Sequence, residues 1–588
     1  MKSKFRKTLC FLLAICMIAA LTACAGGTTV SSKAESVSPS SSANEGVSSD
    51  GTTQTQVADY LTATGSTPAY KPNKDITLKI VTHTYKAEWT QQDSWFWNKF
   101  VPETFGFQVE ATQYNADNKK LAFATNDLPD LYINSAIMAS DLMVWGEQEH
   151  QIVDMMQYVN ETYMPNLAQY FSEHPDKKSL VVTPSGALYG IPYFASESDL
   201  GSLWVEAYNK KLADSLGFTV DKINTIDDFI NMLRAMKNAG VKTPLGGSYA
   251  TMDPTHYILT ALGVTAYNNS DKIYALKNPS VNSKGEVVFP IADKEIFPEY
   301  VKIMKTLYDE ELISKDFFSM DAAATDAEAT SGNNAVLSNK DITTVFIDDT
   351  YLDWAGLPPL TSSINDKKVW AANRNAIRVE GYSVTNACKY PELCAIFADY
   401  WFDVDNYYLN CYGPMAGDPL CGNDISGWTM DETGTVTYAD VVNQKFAAYT
   451  TNADYQRYVT AGWGPNTIIG RGGNDSMNHM AELAGLKNYD ATKYDPTVKS
   501  QWMDYWKKQN AQYVAETYPK NAFFSADVAG EIATLGDTIG PYADAEAAKF
   551  ITGARPLSEM DHYFEELEKM GVDTLIKYYK EYYEGLSK

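Results

Sequence analysis

The 588-residue chain is short of cysteine, histidine and positive charge: it has 7 Cys and 6 His, and its 48 Lys plus Arg face 74 Asp plus Glu, a formal net charge of −26. So negative a body repels phosphate backbones, which argues against nucleic acid as a partner. The histidines (His83, His150, His174, His256, His479 and His562) are scattered, and no HExxH, GxSxG or GxxxxGK[ST] occurs, so the signatures of a zinc protease, a serine hydrolase and a nucleotide-binding loop are missing. No cysteine spacing resembles a zinc site, and neither metal nor cofactor is expected. No repeat of fixed period is present. Beyond the N-terminal segment no apolar run reaches the length that spans a bilayer. What is abundant is apolar and aromatic material, 45% and 13% of the chain, enough to bury more than one core.

The first residues read as an address. Lys2, Lys4, Arg6 and Lys7 precede an apolar run from Leu9 to Leu21 that is short for a membrane span, which is the pattern of a secretion signal over 1–23. Its loss removes four cations and takes the net charge to about −30. Leu21-Thr22-Ala23-Cys24 resembles the bacterial lipobox, in which the Cys thiol takes a diacylglycerol and becomes the new N-terminus. Acyl chains contribute on the order of 0.8 kcal/mol per buried CH₂, so Cys24 is expected to hold the body at the outer face of the cell membrane. The Ser/Thr/Gly/Ala-rich stretch that follows, 24–70, reads as a flexible tether with a reach of about 35–40 Å.

Downstream, strand and helix signals alternate, which predicts an α/β fold. Ile76 to Thr82 has strand alternation, Trp95 to Phe100 is helix-like, and Gln108 to Thr112 is a second strand. A helix over about Asn118 to Ala124 runs into Asp127-Leu128-Pro129-Asp130, where Pro129 stops it before a short buried strand. Thr225-Ile226-Asp227-Asp228 is a capping box for a helix burying Phe229, Leu233 and Met236 and ending at Gly240. Pro391 opens a helix with Leu393, Ile396, Phe397, Tyr400 and Trp401 inward. Ser558 is expected to cap one C-terminal helix and Asp573 the last. Four cysteines remain in the body; Cys411 and Cys421 flank a Gly/Pro-rich loop that a disulfide would close, Cys388 and Cys394 bracket a helix start, and free buried thiols are the alternative.

These blocks together resemble the extracellular solute-binding lipoproteins of carbohydrate ABC importers, the family 1 and LipO-like group, over most of 71–588. The carriers are the lipobox and tether, Asp127-Leu128-Pro129-Asp130 before a strand, and Pro184-Ser185-Gly186-Ala187-Leu188-Tyr189-Gly190-Ile191-Pro192. Trp204 to Lys211, Leu357-Pro358-Pro359-Leu360 and Lys549-Phe550-Ile551-Thr552-Gly553 agree with them. The resemblance implies a two-lobed periplasmic-binding-protein-like fold of type II joined by crossing strands, with 71–201 and 357–425 in the first lobe and 202–356 and 426–588 in the second. It implies a monomeric, non-enzymatic receptor that hands an oligosaccharide to permease subunits. One departure is clear: relatives carry a calcium loop after the capped helix, whereas Met236 to Pro244 offers no carboxylate cluster.

A sugar presents apolar C–H faces and a rim of hydroxyls, so its site needs aromatic platforms beside polar side chains near strand ends. By that criterion the candidates are His83, Tyr85 and Trp89 after the first strand and Asn134 with Ser135 after the third. Tyr193, Glu197 and Asp199 follow the hairpin, Trp204 lies in the crossing strand, and Tyr249 and His256 belong to the second lobe. Asp348, Asp349, Tyr351 and Trp354 follow an expected strand from Thr343 to Ile347; Glu380 and Gly381 precede another, and Trp463 stands in a Gly-Trp-Gly-Pro-Asn loop. Trp463, Trp204 and Asp348 lead this set, followed by Tyr85, Asn134 and Tyr249. Arg374, Arg378 or Arg471 would be needed for a strongly anionic glycan. A secreted glycoside hydrolase using a carboxylate pair, or a peptide receptor of the same fold, are the competing readings.

Overall fold

The computed structural model describes residues 56–83, 94–195, 205–266, 274–346, 348–371, 377–445, 451–460, 469–472 and 474–586. Cys24 lies outside them. The folded body begins near Val57, earlier than the expected tether boundary at 70. Leu61–Ala63 and Tyr70–Pro72 pair as an antiparallel hairpin; Leu61 is buried, and the Tyr60 hydroxyl donates to Glu392 over 2.7 Å. The expectation failed because polar composition hid the few residues, Val57, Tyr60 and Leu61, that dock this segment.

The first lobe is built on a four-stranded sheet. Thr77–Thr82 alternates outward and inward, with Leu78, Ile80 and Thr82 buried. It pairs in parallel with Gln108–Gln113 on one side and with Leu131–Ile133 on the other, and Tyr382–Val384 adds an antiparallel strand. The Asp-Leu-Pro-Asp motif joins two of these strands: Asp130 accepts from the Lys79 amide at 2.7 Å and donates its own amide to Lys79 at 2.9 Å. The Pro391–Asp399 helix begins on its proline and buries Leu393, Ile396 and Phe397, with Tyr400 and Trp401 continuing the same core. There Phe105 meets Phe397 edge-on at 4.9 Å, an arrangement that the ring quadrupoles favour.

The second lobe carries a sheet in the order Trp354–Leu357, Glu206–Asn209, Val336–Leu337, Leu245–Gly246. The two crossing segments of the sequence are its antiparallel first pair, Leu357 opposite Glu206. The capping box is present: Thr225 accepts from the Asp228 amide and Asp228 from the Thr225 amide, opening Ile226–Asn238 with Phe229, Leu233 and Met236 fully buried. Thr343 to Val345 is not strand but part of a helical turn, Ile342–Val345, because Asp341 caps it through the Thr343 amide. Ser558 lies inside the 3-10 turn Leu557–Glu559, so the helix Met560–Lys569 starts after it without a side-chain cap. Asp573 falls in the first turn of Val572–Leu586 rather than before it.

Core membership divides the chain differently from the boundaries read at 357 and 426. Trp370 is still buried in the second core, and its strand Trp370–Ala371 pairs with Val514–Ala515. Trp428, Tyr438, Tyr455, Ile469 and Met480 belong to the first core, held there by Trp428 Nε1 on the Gly413 carbonyl (2.8 Å) and the Tyr438 hydroxyl on that of Tyr412 (2.9 Å). Trp502 and Met503 re-enter the second lobe against Val205, Ala207 and Trp354. The long helix Ala526–Thr552 then buries Ile539, Ala543 and Phe550 in the second core. Cys388, Cys394, Cys411 and Cys421 are free and buried, with the thiols of Cys388 and Cys394 3.7 Å apart. Among the described residues no helix is long and apolar enough to cross a membrane.

Candidate functional site

In open α/β sheets ligands collect beyond the carboxyl ends of strands. In the first lobe those ends carry His83, which is exposed with its ring 6.2 Å from that of Tyr114, and Asn134, half-buried at φ +47° with its amide donating to the Gly381 carbonyl at 2.7 Å. Ser135 is buried, and its hydroxyl serves the Val81 and Ile133 carbonyls. Beside this edge lies a three-stranded sheet of Ile377–Arg378, Tyr193–Ala195 and Gly470–Gly472. The Arg378 guanidinium sits 5.5 Å from the Tyr193 ring and that of Arg471 5.4 Å from Tyr170. Glu197 and Asp199, Arg374, and Trp463 fall in segments that adjoin these three strands. Those residues, together with Tyr85, Trp89 and Trp204, lie outside the described residues.

Glu380 is not an open carboxylate. Its side chain pairs with Lys520 at 2.5 Å, both largely shielded. Burial alone raises its pKa, but Lys520 and the amides of Val379 and Glu380 outweigh burial and hold it below the usual carboxylate range. Lys520 belongs to a segment that joins the lobes, with Tyr518 packed against Val281 and Val287 and Phe523 in the first core. Next to this pair is a cavity of about 400 Å³ with one wall from each lobe. Met138 and Ser140, which follow Asn134, form the first-lobe wall; Asn278, Tyr518, Phe524 and Tyr579 form most of the other.

The carboxyl end of the second sheet gathers Glu206, Ser338, Tyr249 and Asp253. The Ser338 hydroxyl donates to Glu206, whose complete burial pushes its pKa up to about 8. Burial likewise takes Asp253 to about 7, although the Thr255 amide and hydroxyl oppose the shift. Tyr249 is half-buried, its amide on the Phe317 carbonyl and its ring 6.1 Å from Phe318. His256 is an interior residue rather than an exposed ring: it is 5% exposed, edge-on to Trp370 at 5.5 Å, and burial lowers its pKa to about 4.

Asp348, Asp349, Tyr351 and Trp354 stand elsewhere. They precede the Trp354–Leu357 strand, whose other end meets Glu206, so a strand length of roughly 10 Å separates them from the gathered groups. Asp348 is exposed; the Thr350 hydroxyl and then the Thr350 amide, through which Asp348 caps a 3-10 turn at 3.1 Å, keep its pKa low. Tyr351 donates to the Thr497 carbonyl, and Trp354 is buried. The sequence pattern missed Tyr518, Lys520, Phe524, Asn278, Glu206 and Asp253. Tyr579 was visible only as part of a tyrosine-rich last helix. Among the described residues no group of three or more His, Cys, Asp or Glu could hold a metal ion.

No protein-family model matches the chain. A curated relative, the fructooligosaccharide ABC transporter substrate-binding protein FusA of Streptococcus pneumoniae, is 24% identical over 505 residues, 82% of this chain and 85% of its own. The solved structure of the S. pneumoniae FusA in complex with kestose is 20% identical and covers 87% of this chain and 99% of that one, with a TM-score of 0.61. An extracellular solute-binding protein from Bifidobacterium longum subsp. infantis is 16% identical over the same shares, with a TM-score of 0.66. The fold is thus the two-lobed fold of the ABC-transporter solute-binding proteins, as the sequence motifs implied.

Proposed function

We propose that this protein is an extracellular, membrane-associated receptor that binds an oligosaccharide between its lobes and delivers it, unaltered, to an ABC importer. The observation that carries this reading is the cavity with one wall from each lobe. Its size is within the range of small-ligand sites, and the half-buried rings of Phe524 and Tyr579 supply aromatic surface in its wall while Asn278, Ser140 and Lys520 supply polar groups. A cleft between two lobes changes shape on closure, which is the signal a permease needs. The likeness to FusA supports a fructooligosaccharide as the first ligand class to test. Anchoring through Cys24 and docking on permease subunits belong to the same proposal.

A glycoside hydrolase requires two carboxyl groups flanking the scissile bond. Among the described residues, the cavity lining supplies an ammonium and no Asp or Glu, and Glu380 is committed to Lys520. Binding is tested by thermal shift and calorimetry of the soluble body with kestose, longer fructans, other oligosaccharides and a peptide panel. A ligand at about 100 times its dissociation constant adds about 2.7 kcal/mol of stability. Saturable stabilisation without release of reducing ends is the expected result. A response to peptides alone, or hydrolysis of the glycan, would replace the reading.

A further inference from the structure

We propose that Lys119 is a positioning residue for the first-lobe wall of the ligand cavity, an inference that rests on the receptor reading above. The wall, Met138 to Ser140, is presented by the stretch that starts at Asn134, and the backbone of that stretch is unusual: Asn134 and Ala136 both sit in the left-handed region, at φ +47° and +48°. Such a conformation costs free energy for a residue with a Cβ and persists when surrounding contacts over-determine it. Ser135 fixes the loop to the sheet from one side, through the Val81 and Ile133 carbonyls. Lys119 holds it from the other.

Lys119 projects from the helix Ala116–Thr125, whose other first-turn residues are exposed, yet it is 7% exposed itself. Its ammonium donates to the Ala136 carbonyl at 2.6 Å and the Ser135 carbonyl at 3.3 Å, with an Asp141 oxygen 3.6 Å away. The rings of Tyr114 and Trp145 flank it, each 5.6 Å from the nitrogen, and Trp145 is itself stacked on Phe123 at 3.8 Å. Asp141 also accepts from the Met138 amide at 3.1 Å, so one carboxylate engages both the lysine and the wall. An ammonium is expensive to desolvate, and an apolar side chain would fill this space at less cost. Two hydrogen bonds to consecutive carbonyls of a strained loop, with a carboxylate beside them, are what an apolar side chain would not provide. Lys119 reaches no cavity-lining atom; it acts through the backbone that presents Met138 and Ser140.

The test compares the full-length protein with Lys119→Met, which keeps the stem and deletes the charge, and with Lys119→Arg and Lys119→Gln, which keep donors if methionine is not tolerated. Ile396→Val, in the core of the same lobe, is the control for general destabilisation. Amide exchange across 134–141 is measured without ligand, and affinity for kestose or the best glycan of the screen with it. The expected result is faster exchange confined to this loop, tenfold or more, with a comparable loss of affinity in Lys119→Met, partial recovery in Lys119→Arg, and neither effect in Ile396→Val. Unchanged exchange in the loop, or an affinity loss matched by the control, overturns the inference. Should the unaltered protein bind no glycan, the receptor reading fails while the exchange measurement still decides whether Lys119 sets this loop.

Discussion

Glu380 of the first lobe and Lys520 of the segment linking the lobes form an ion pair 2.5 Å long at the edge of the interlobe cavity, each side chain less than a fifth exposed. Removing one partner strands the other charge in a shielded site. Lys520→Met is therefore expected to lower the unfolding free energy by about 1–3 kcal/mol at neutral pH, and Glu380→Gln/Lys520→Met to recover part of that loss. Because the native carboxyl titrates below its unfolded value, its contribution is present above the unfolded pKa and is lost as pH falls through the native one. Urea titrations at pH 7 and pH 3 should show a smaller acid loss in Lys520→Met than in the unaltered protein.

Glu206 gives the opposite sign. Its pKa of about 8 in the folded state exceeds the ordinary glutamate value of 4.5, so the folded protein binds the extra proton and stability falls as pH rises between those values. His256, lowered to about 4, works against this between pH 4 and 6.5, since there the unfolded chain takes up more protons. The fall is therefore clearest from pH 6.5 to 8, on the order of 1–2 kcal/mol, with Asp253 adding to its lower part. Glu206→Gln should flatten that limb. A melting temperature of the variant that still drops as steeply over this range would mean that Glu206 is not its source.

Gly190, inside the Pro-Ser-Gly-Ala-Leu-Tyr-Gly-Ile-Pro motif, has a physical reason to be glycine. A Cβ there would meet the Val379 carbonyl oxygen at 2.2 Å, and the next amide, Ile191, donates to Tyr382 at 2.9 Å. The motif thus lies directly on the chain that leads to Glu380. Gly190→Ala should destabilise by about 1–3 kcal/mol through a forced backbone shift. Gly530→Ala, in an open helical position, should instead stabilise by up to about 1 kcal/mol. Thermal melts of the two variants in opposite directions are the expected outcome.

Much of the architecture was legible where a local rule acts on adjacent residues: the Thr225 capping box, Pro391 at a helix start, Pro129 before a buried strand, the alternation of Thr77–Thr82. The misreadings share another cause. Asp341 caps a turn that the β-branched Thr343, Thr344 and Val345 made look like strand, so Asp348 and Asp349 precede the Trp354–Leu357 strand instead of following one. Trp428 and Tyr438 join the first core through carbonyls of Gly413 and Tyr412, contacts with no periodic trace. Tyr518, Lys520 and Phe524 stand in an irregular segment between Val514–Ala515 and a long helix, so no strand end marked them. Asn134 could be placed at a strand end because it directly follows a recognisable buried strand.

The interlobe cavity and the aspartate-capped turn before Trp354 can be told apart by affinity. Phe524 and Tyr579 line the interlobe cavity, and their rings meet at 5.2 Å. Asp348 and Asp349 lie beyond the amino end of the Trp354–Leu357 strand, where Asp348 satisfies a turn. If the glycan stacks in the cavity, Phe524→Ala and Tyr579→Ala each remove a platform and should weaken binding by about 1 kcal/mol, roughly fivefold. Asp348→Asn and Asp349→Asn should leave the dissociation constant within twofold and, because asparagine caps a helical turn as well as aspartate does, should leave stability nearly unchanged. Calorimetry of the four variants with one ligand decides it. Loss of binding in the aspartate variants with none in the ring variants would move the site to the turn before Trp354 and remove the cavity from the argument.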